Sequence, residues 1–247
     1  METKEYEMLR SEESELMGGK AENTVKSEFT VSFERKREGM DCYHYRVTHH
    51  SQTNHKGLYL WAEDLLPLTE YLEIGVSGET GRIGKIFNLS DINAFWTGKL
   101  WNRIRKKHDG EDNCDAMLDN ISAVLEDGER FAETLRYAPP FSLLFAGVDM
   151  DLENPAERQS RMTGFAGIPF LPLIIRDEIT ETTEKGCRYE IKSEGKIDGK
   201  LFDRGKYLTF VRKLRDEPLA KGDTETRHTE RYLLDGNLRM CTGMLLH

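Results

Sequence analysis

Residues 29–48 read FTVSFERKREGMDCYHYRVT, and the period of this stretch decides the fold. Phe29, Val31 and Phe33 alternate with Thr30, Ser32 and Glu34, and Tyr43, Tyr45 and Val47 alternate with His44, Arg46 and Thr48. Side chains on a strand point alternately to opposite faces, so each run has one buried and one wet face. Gly39 lies between the runs, where a hairpin turn needs it. An antiparallel pair is expected here.

The pattern continues downstream. Leu58 and Leu60 suggest a third strand. Residues 71–77 and 82–88 read as another hairpin, closed by Gly78-Glu-Thr-Gly81. The period then changes. Ser90 suits an N-cap, and Ile92, Phe95, Trp96, Leu100 and Ile104 recur at helical spacing. Met117, Leu118, Ile121 and Leu125 mark a second helix. Asp127-Gly128 marks a break, and Phe131 and Leu135 continue helically until Pro139-Pro140. Residues 149–163 read as polar and irregular. Leu171, Leu173 and Ile175 share a parity, as do Tyr189, Ile191, Ser193, Gly195 and Ile197. Residues 201–215 lie between helix and strand, and fit a helix slightly better. Residues 231–234 and 238–246, joined by Asp235-Gly236-Asn237, carry a strong hairpin signal.

Strands, helices, strands, with short turns between neighbours, predict the α+β class. The expected architecture is a curved antiparallel sheet, meander or half-barrel-like, with a helical insert at about residues 90–146 on one face. Residues 1–26 carry seven Glu against four Lys or Arg and predict a flexible acidic tail, leaving 27–247 as one domain.

Composition excludes several classes. The 247 residues include 21 Gly and 7 Pro, ordinary for a globular chain and unlike collagen or low-complexity sequence. An aromatic share of 9% argues against wholesale disorder. No run approaches the roughly 18 apolar residues of a membrane span. The polar first 26 residues lack the apolar run of a secretory signal, so a cytoplasmic location is expected. Cys42, Cys114, Cys187 and Cys241 are scattered and read as reduced thiols. A net charge of −9 disfavours nucleic-acid binding and favours a basic partner.

Familiar chemical signatures fail on their spacing. Gly78, Gly81 and Gly84 form GxxGxxG between two strands, which is a hairpin turn and not a phosphate cradle. GK[ST] and GxSxG do not occur. Asp149-x-Asp151-x-Glu153 begins like a calcium loop but runs into Asn154-Pro155. Cys42, His44, His49, His50 and His55 are soft-metal ligand types within fourteen residues. On a regular strand Cys42, His44 and His50 would line the solvent face, with His49 inward. His44 and His50 would then stand about 20 Å apart, too far to share an ion. The stretch is read as exposed imidazoles, and no metal, cofactor or catalytic residue is assigned.

Charge is segregated. Residues 92–107 hold five basic residues and no acidic one, whereas 108–158 hold thirteen Asp or Glu against three Arg, a balance of −10. The expected contact surface for a basic protein comprises Asp109, Glu111, Asp112, Asp115, Asp119, Glu126, Asp127, Glu129 and Glu133. The alternative is a carrier holding a hydrophobic ligand in a cavity lined by Phe95, Trp96, Trp101 and Phe131.

Residues 77–96, SGETGRIGKIFNLSDINAFW, and 230–240, ERYLLDGNLRM, carry a resemblance. They resemble an uncharacterised bacterial protein type in which a Gly turn, Gly-x-Ile-x-x-Ile-x-Asn and a Trp-bearing helix recur; here Phe87 follows Ile86, and Asn88 matches. The resemblance implies an antiparallel meander curving round inserted helices. It also implies an origin among Bacteroidota, sometimes near contractile-secretion genes, and no catalytic residues. The expected function is a non-catalytic interaction protein: an adaptor, a chaperone-like protein or a toxin-neutralising one.

Overall fold

Phe29, Tyr45, Leu72, Ile74, Ile83 and Ile86 are buried on one face of a five-stranded antiparallel sheet. The computed structural model describes residues 3–16, 19–111, 114–145, 159–165, 168–208, 228–234 and 240–246. The first sheet has strands β1 (Thr3–Leu16), β2 (Gly19–Arg37), β3 (Met40–Gln52), β4 (Tyr71–Val76) and β5 (Ile83–Ile86), neighbours in chain order. Helix α1 (Leu58–Leu65) and a 3-10 turn (Leu66–Leu68) lie between β3 and β4 in the chain. The helical insert follows β5. It comprises α2 (Leu89–Phe95), a π-helical segment (Trp96–Leu100), α3 (Trp101–Lys107), α4 (Cys114–Glu126), α5 (Gly128–Tyr137) and α6 (Phe141–Leu144). The second sheet runs β6 (Gln159–Phe165), β7 (Ile168–Glu181), β8 (Tyr189–Ile197), β9 (His228–Leu234) and β10 (Met240–Leu246), again antiparallel neighbours in chain order. The α+β class holds, with two open antiparallel sheets in place of one.

The chain divides into two compact units. Residues 1–9 and 23–148 make one; 10–22 and 149–247 make the other. Each has its own apolar nucleus. In the first unit the sheet face is covered by Ile92, Trp96, Leu100, Ile104, Leu118, Leu125, Phe131 and Leu135 of the insert. In the second, Leu173 and Ile175 of β7 are buried with Ile197 and Phe202 against them.

The expected acidic tail is strand. Tyr6 and Met8 pack against the core of the first unit, and the Tyr6 ring stacks on Phe29 at 5.5 Å. Glu5, Glu7 and Leu9 are exposed on the other parity. Period-two alternation, masked by the Glu content, wins because it offers a face to bury. The strand expected at Leu58 and Leu60 is instead α1: Trp61 and Leu68 are buried, with Leu65 packed beside them, at helical spacing. Residues 159–163, expected to be irregular, belong to β6, whose Gln159 pairs with Ile175. Residues 149–158, 209–215 and the Asp235-Gly236-Asn237 turn lie outside the described residues.

Bulges shape the first sheet. Phe33 pairs with Tyr43 and Arg35 with Cys42, which leaves Glu34 as an extra residue. Glu28 pairs with His49 and Phe29 with Val47, which leaves Thr48 extra. Val76 pairs with Ile83 and Gly75 with Lys85, which leaves Gly84 extra and turns both Ile83 and Ile86 inward. An extra residue shifts the parity of everything beyond it. That is why His49 is exposed, the reverse of the regular-strand expectation, while His50 pairs with the buried Ser27.

Asn88, not Ser90, occupies the cap position of α2, and its side chain bonds to β4. Its Oδ1 accepts from the Glu73 backbone N–H at 2.9 Å, and its Nδ2 donates to the Tyr71 carbonyl at 3.1 Å. Asn88→Ala leaves both backbone groups without these bonds in a largely buried place. It should destabilise the chain by about 2 kcal/mol, read as a lower urea midpoint with an unchanged m-value.

Candidate functional site

Helices α4 and α5 present the acidic surface. Leu118, Leu125, Phe131, Ala132 and Leu135 turn into the core, which leaves the intervening positions in water. Asp115, Asp119 and Glu126 fall on the exposed side of α4, and Glu129 and Glu133 on that of α5. Asp127 caps α5, its Oδ1 accepting from the N–H groups of Glu129 and Arg130, both at 3.1 Å. Residues 114–137 carry six carboxylates against two arginines. Both arginines are held elsewhere: Arg130 donates to Asn120 Oδ1 and Arg136 to the Ile83 carbonyl. Asp115 lies 3.5 Å from Arg105. Asp109, Asp119, Glu126, Glu129 and Glu133 are exposed and make no ion pair among the described residues. Asp112 lies outside the described residues.

Glu111 has a different task. Its Oε2 accepts from Trp61 Nε1 at 2.8 Å, and its Oε1 lies 2.7 Å from His108 Nδ1. On the other side of that ring, His108 Nε2 lies 2.9 Å from Asp64 Oδ2, and Lys107 Nζ lies 2.8 Å from Asp64 Oδ1. The His108 side chain has no exposed surface, and its ring stacks on Trp61 at 4.0 Å. Each ring nitrogen of His108 thus lies against a carboxylate oxygen, and the two contacts fix the ring. The clamp ties α1 to the end of α3. Sequence reasoning missed it; the His108-x-x-Glu111 spacing was the one local signal.

The four aromatic residues proposed for a cavity divide, Trp101 packing against the core cluster of Trp96 and Phe131 and Phe95 standing outside it. Trp96 and Phe131 belong to the core cluster, and Trp96 Nε1 donates to Ser122 Oγ at 2.9 Å. Phe95 points outward, 37% exposed. Trp101 is half-buried, with the Arg105 guanidinium 5.0 Å over its ring. The π-helical segment between Phe95 and Trp101 keeps Trp96 and Leu100 inside.

The outer face of the first sheet holds a polar cluster. Cys42 and His44 are two apart on β3, and the bulge at Glu34 brings its carboxylate over them. Glu34 Oε2 lies 3.1 Å from His44 Nε2. One ligand-type atom from each of Glu34, Cys42 and His44 lies within 4.8 Å of the others. Tyr71 Oη lies 3.3 Å from His44 Nδ1 and donates to Glu73 Oε1 at 3.2 Å; Arg37 Nη1 pairs with Glu73 Oε2 at 3.1 Å. Cys42 is fully buried. It pairs with Gly75, whose missing side chain leaves room for the Phe87 ring: a Cβ there would meet that ring at 2.9 Å. Burial, then the Glu34 and Glu73 carboxylates, push the Cys42 thiol up to about 11. The hydrogen bond with His44 holds Glu34 below the usual carboxylate range. The remaining histidines disperse: His50 bonds Ser27 and His55 bonds Glu63.

Compared with known proteins, the chain matches no family model, and no curated protein and no solved structure is significantly similar to it.

The His108 clamp gives a pH-dependent stability of definite sign. Burial raises Asp64, but the hydrogen bonds from Lys107 and His108 outweigh it and hold the carboxyl below its ordinary range. The bonds from Trp61 and His108 do the same for Glu111. The two groups therefore stabilise the fold fully above the unfolded carboxylate range, about pH 4, and cease to do so as pH falls through the lower folded values. His108→Leu should cost about 3 kcal/mol at neutral pH. Asp64→Asn should flatten the acid limb of a stability-against-pH series in urea; a limb as steep as the wild type's would contradict the clamp.

Proposed function

We propose that this chain is a non-catalytic interaction protein that docks a basic protein partner on the exposed faces of α4 and α5. One observation carries the reading: Asp119, Glu126, Glu129 and Glu133 stand exposed on adjoining helices, without an ion pair among the described residues. A carboxylate cluster without internal counter-ions has a standing repulsion that a cationic surface relieves, and it steers such a surface in encounter. Adaptor, chaperone-like and toxin-neutralising roles share this chemistry. The resemblance of residues 77–96 to a bacterial type sometimes encoded near contractile-secretion genes suggests that machinery as a source of the partner. The aromatic placement favours this reading over the carrier, because Trp96 and Phe131 are part of the packed core, Trp101 packs against it and Phe95 is exposed.

Among the described residues no helix is long and apolar enough to cross a membrane. Affinity capture from the native source should retain a protein of high isoelectric point on the wild-type chain. The triple variant Asp119→Lys, Glu129→Lys, Glu133→Lys should lose it, with an unaltered circular-dichroism spectrum. With the purified pair, affinity should fall steeply as salt is raised from low to physiological ionic strength. A partner that the triple variant still holds, or whose affinity ignores salt, would refute the reading.

A further inference from the structure

We infer that Glu34, Cys42 and His44 form a binding site for a zinc-class divalent cation on the outer face of the first sheet. The three residues supply a carboxylate oxygen, a thiolate sulfur and an imidazole nitrogen, the donor set of a borderline-soft ion and not of magnesium or calcium. Their ligand atoms already lie within 4.8 Å of one another. Tetrahedral zinc, with bonds of about 2.0–2.3 Å, needs ligand atoms about 3.5 Å apart, so side-chain rotation closes the site without moving the strands.

The surroundings resemble those of a ligating histidine. Such a residue commonly passes its second ring N–H to a carboxylate or another acceptor, which fixes the ring and raises its basicity. Here His44 Nε2 faces Glu34 while Nδ1 faces Tyr71 Oη. Tyr71 in turn donates to Glu73, which Arg37 holds. Glu34 Oε2 and His44 Nε2 stand 3.1 Å apart, so a cation taking the place of the hydrogen between them gains a bond from each.

Cys42 completes the donor set. Its thiol is fully buried, two residues from His44 on the same strand and beside an exposed carboxylate. On binding, the ion forms its bond to Sγ, and the thiol proton leaves to solvent. Glu34 and His44, with side chains 32% and 29% exposed, give the ion a way in and leave its fourth position to water. Bound there, the ion would fasten the β2 bulge to β3.

The test uses the full chain, purified metal-free, with zinc and cobalt(II) as probes. Calorimetric titration should show one zinc per chain, proton release and a raised Tm. The cobalt form should show tetrahedral d–d bands and a thiolate-to-metal charge-transfer band. Cys42→Ser should abolish that band, and His44→Gln should weaken zinc binding by roughly 100-fold. Tyr71→Phe, which leaves all three ligand side chains in place, should weaken it by roughly 10-fold, within the range for outer-shell partners. If Cys42→Ser fails to fold, the His44→Gln and Glu34→Gln variants, at positions open to solvent in part, carry the test, with circular dichroism as the folding control. An octahedral cobalt spectrum without the thiolate band, or His44→Gln and Glu34→Gln binding zinc like the wild type, would overturn the site.

Discussion

The first unit depends on one seam, the apolar face of β3, β4 and β5 against the helical insert. Tyr45, Leu72, Ile74 and Ile83 on the sheet meet Trp96, Leu100, Ile104, Leu118 and Leu125 on the helices, all nearly free of solvent. Burying one such side chain is worth about 1.5–3 kcal/mol, so no other group of contacts in the unit is comparable in size. The polar groups at the seam are satisfied in place, as Trp96 is by Ser122 and Ser122 by the Leu118 carbonyl. Because the seam claims the inner face of the sheet and the inner stripes of α4 and α5, the chemistry-bearing side chains fall on the two opposite surfaces. The acids of the insert lie on one and the Glu34–Cys42–His44 cluster on the other.

The class of the fold was legible in the sequence because it rests on period. Alternation at Phe29–Phe33, Tyr43–Val47, Leu171–Ile175 and Tyr189–Ile197 put strands where the structure has them. Helical spacing at Met117–Leu125 and Phe131–Leu135 did the same for α4 and α5. What composition obscured was β1: Tyr6 and Met8 are two apolar residues among glutamates, and their value depends on Phe29, a partner far along the chain. Leu58 and Leu60 misled for the complementary reason. Two leucines fit either period, and only the buried Trp61 and Leu68 choose the helix.

The candidate site was legible in part. Cys42 and His44 stood out as ligand types sharing a strand face, and their parity was right. Their third member was not visible, because Glu34 reaches them only through a bulge, and a bulge is a property of two strands in register. The same device reversed His49 and His50. Burial of Cys42 was equally hidden, since its neighbour across the sheet is Gly75, against which the Phe87 ring packs, and neither is near it in sequence.

The acidic stretch divides into charges that hold the fold and charges that do not. Glu111 and Asp64 lie against a buried imidazole, where removing either partner would strand the other in a poorly solvated place. Asp127 caps a helix. These carboxylates are committed, and a partner could recruit them only by undoing structure. Asp119, Glu126, Glu129 and Glu133 carry no such duty. Sequence counts them all alike, so the balance of −10 over residues 108–158 overstates the charge open to a partner. The available charge is concentrated on two adjoining helices anchored by Phe131 and Leu125, and a rigid backing of that kind lowers the ordering cost of docking.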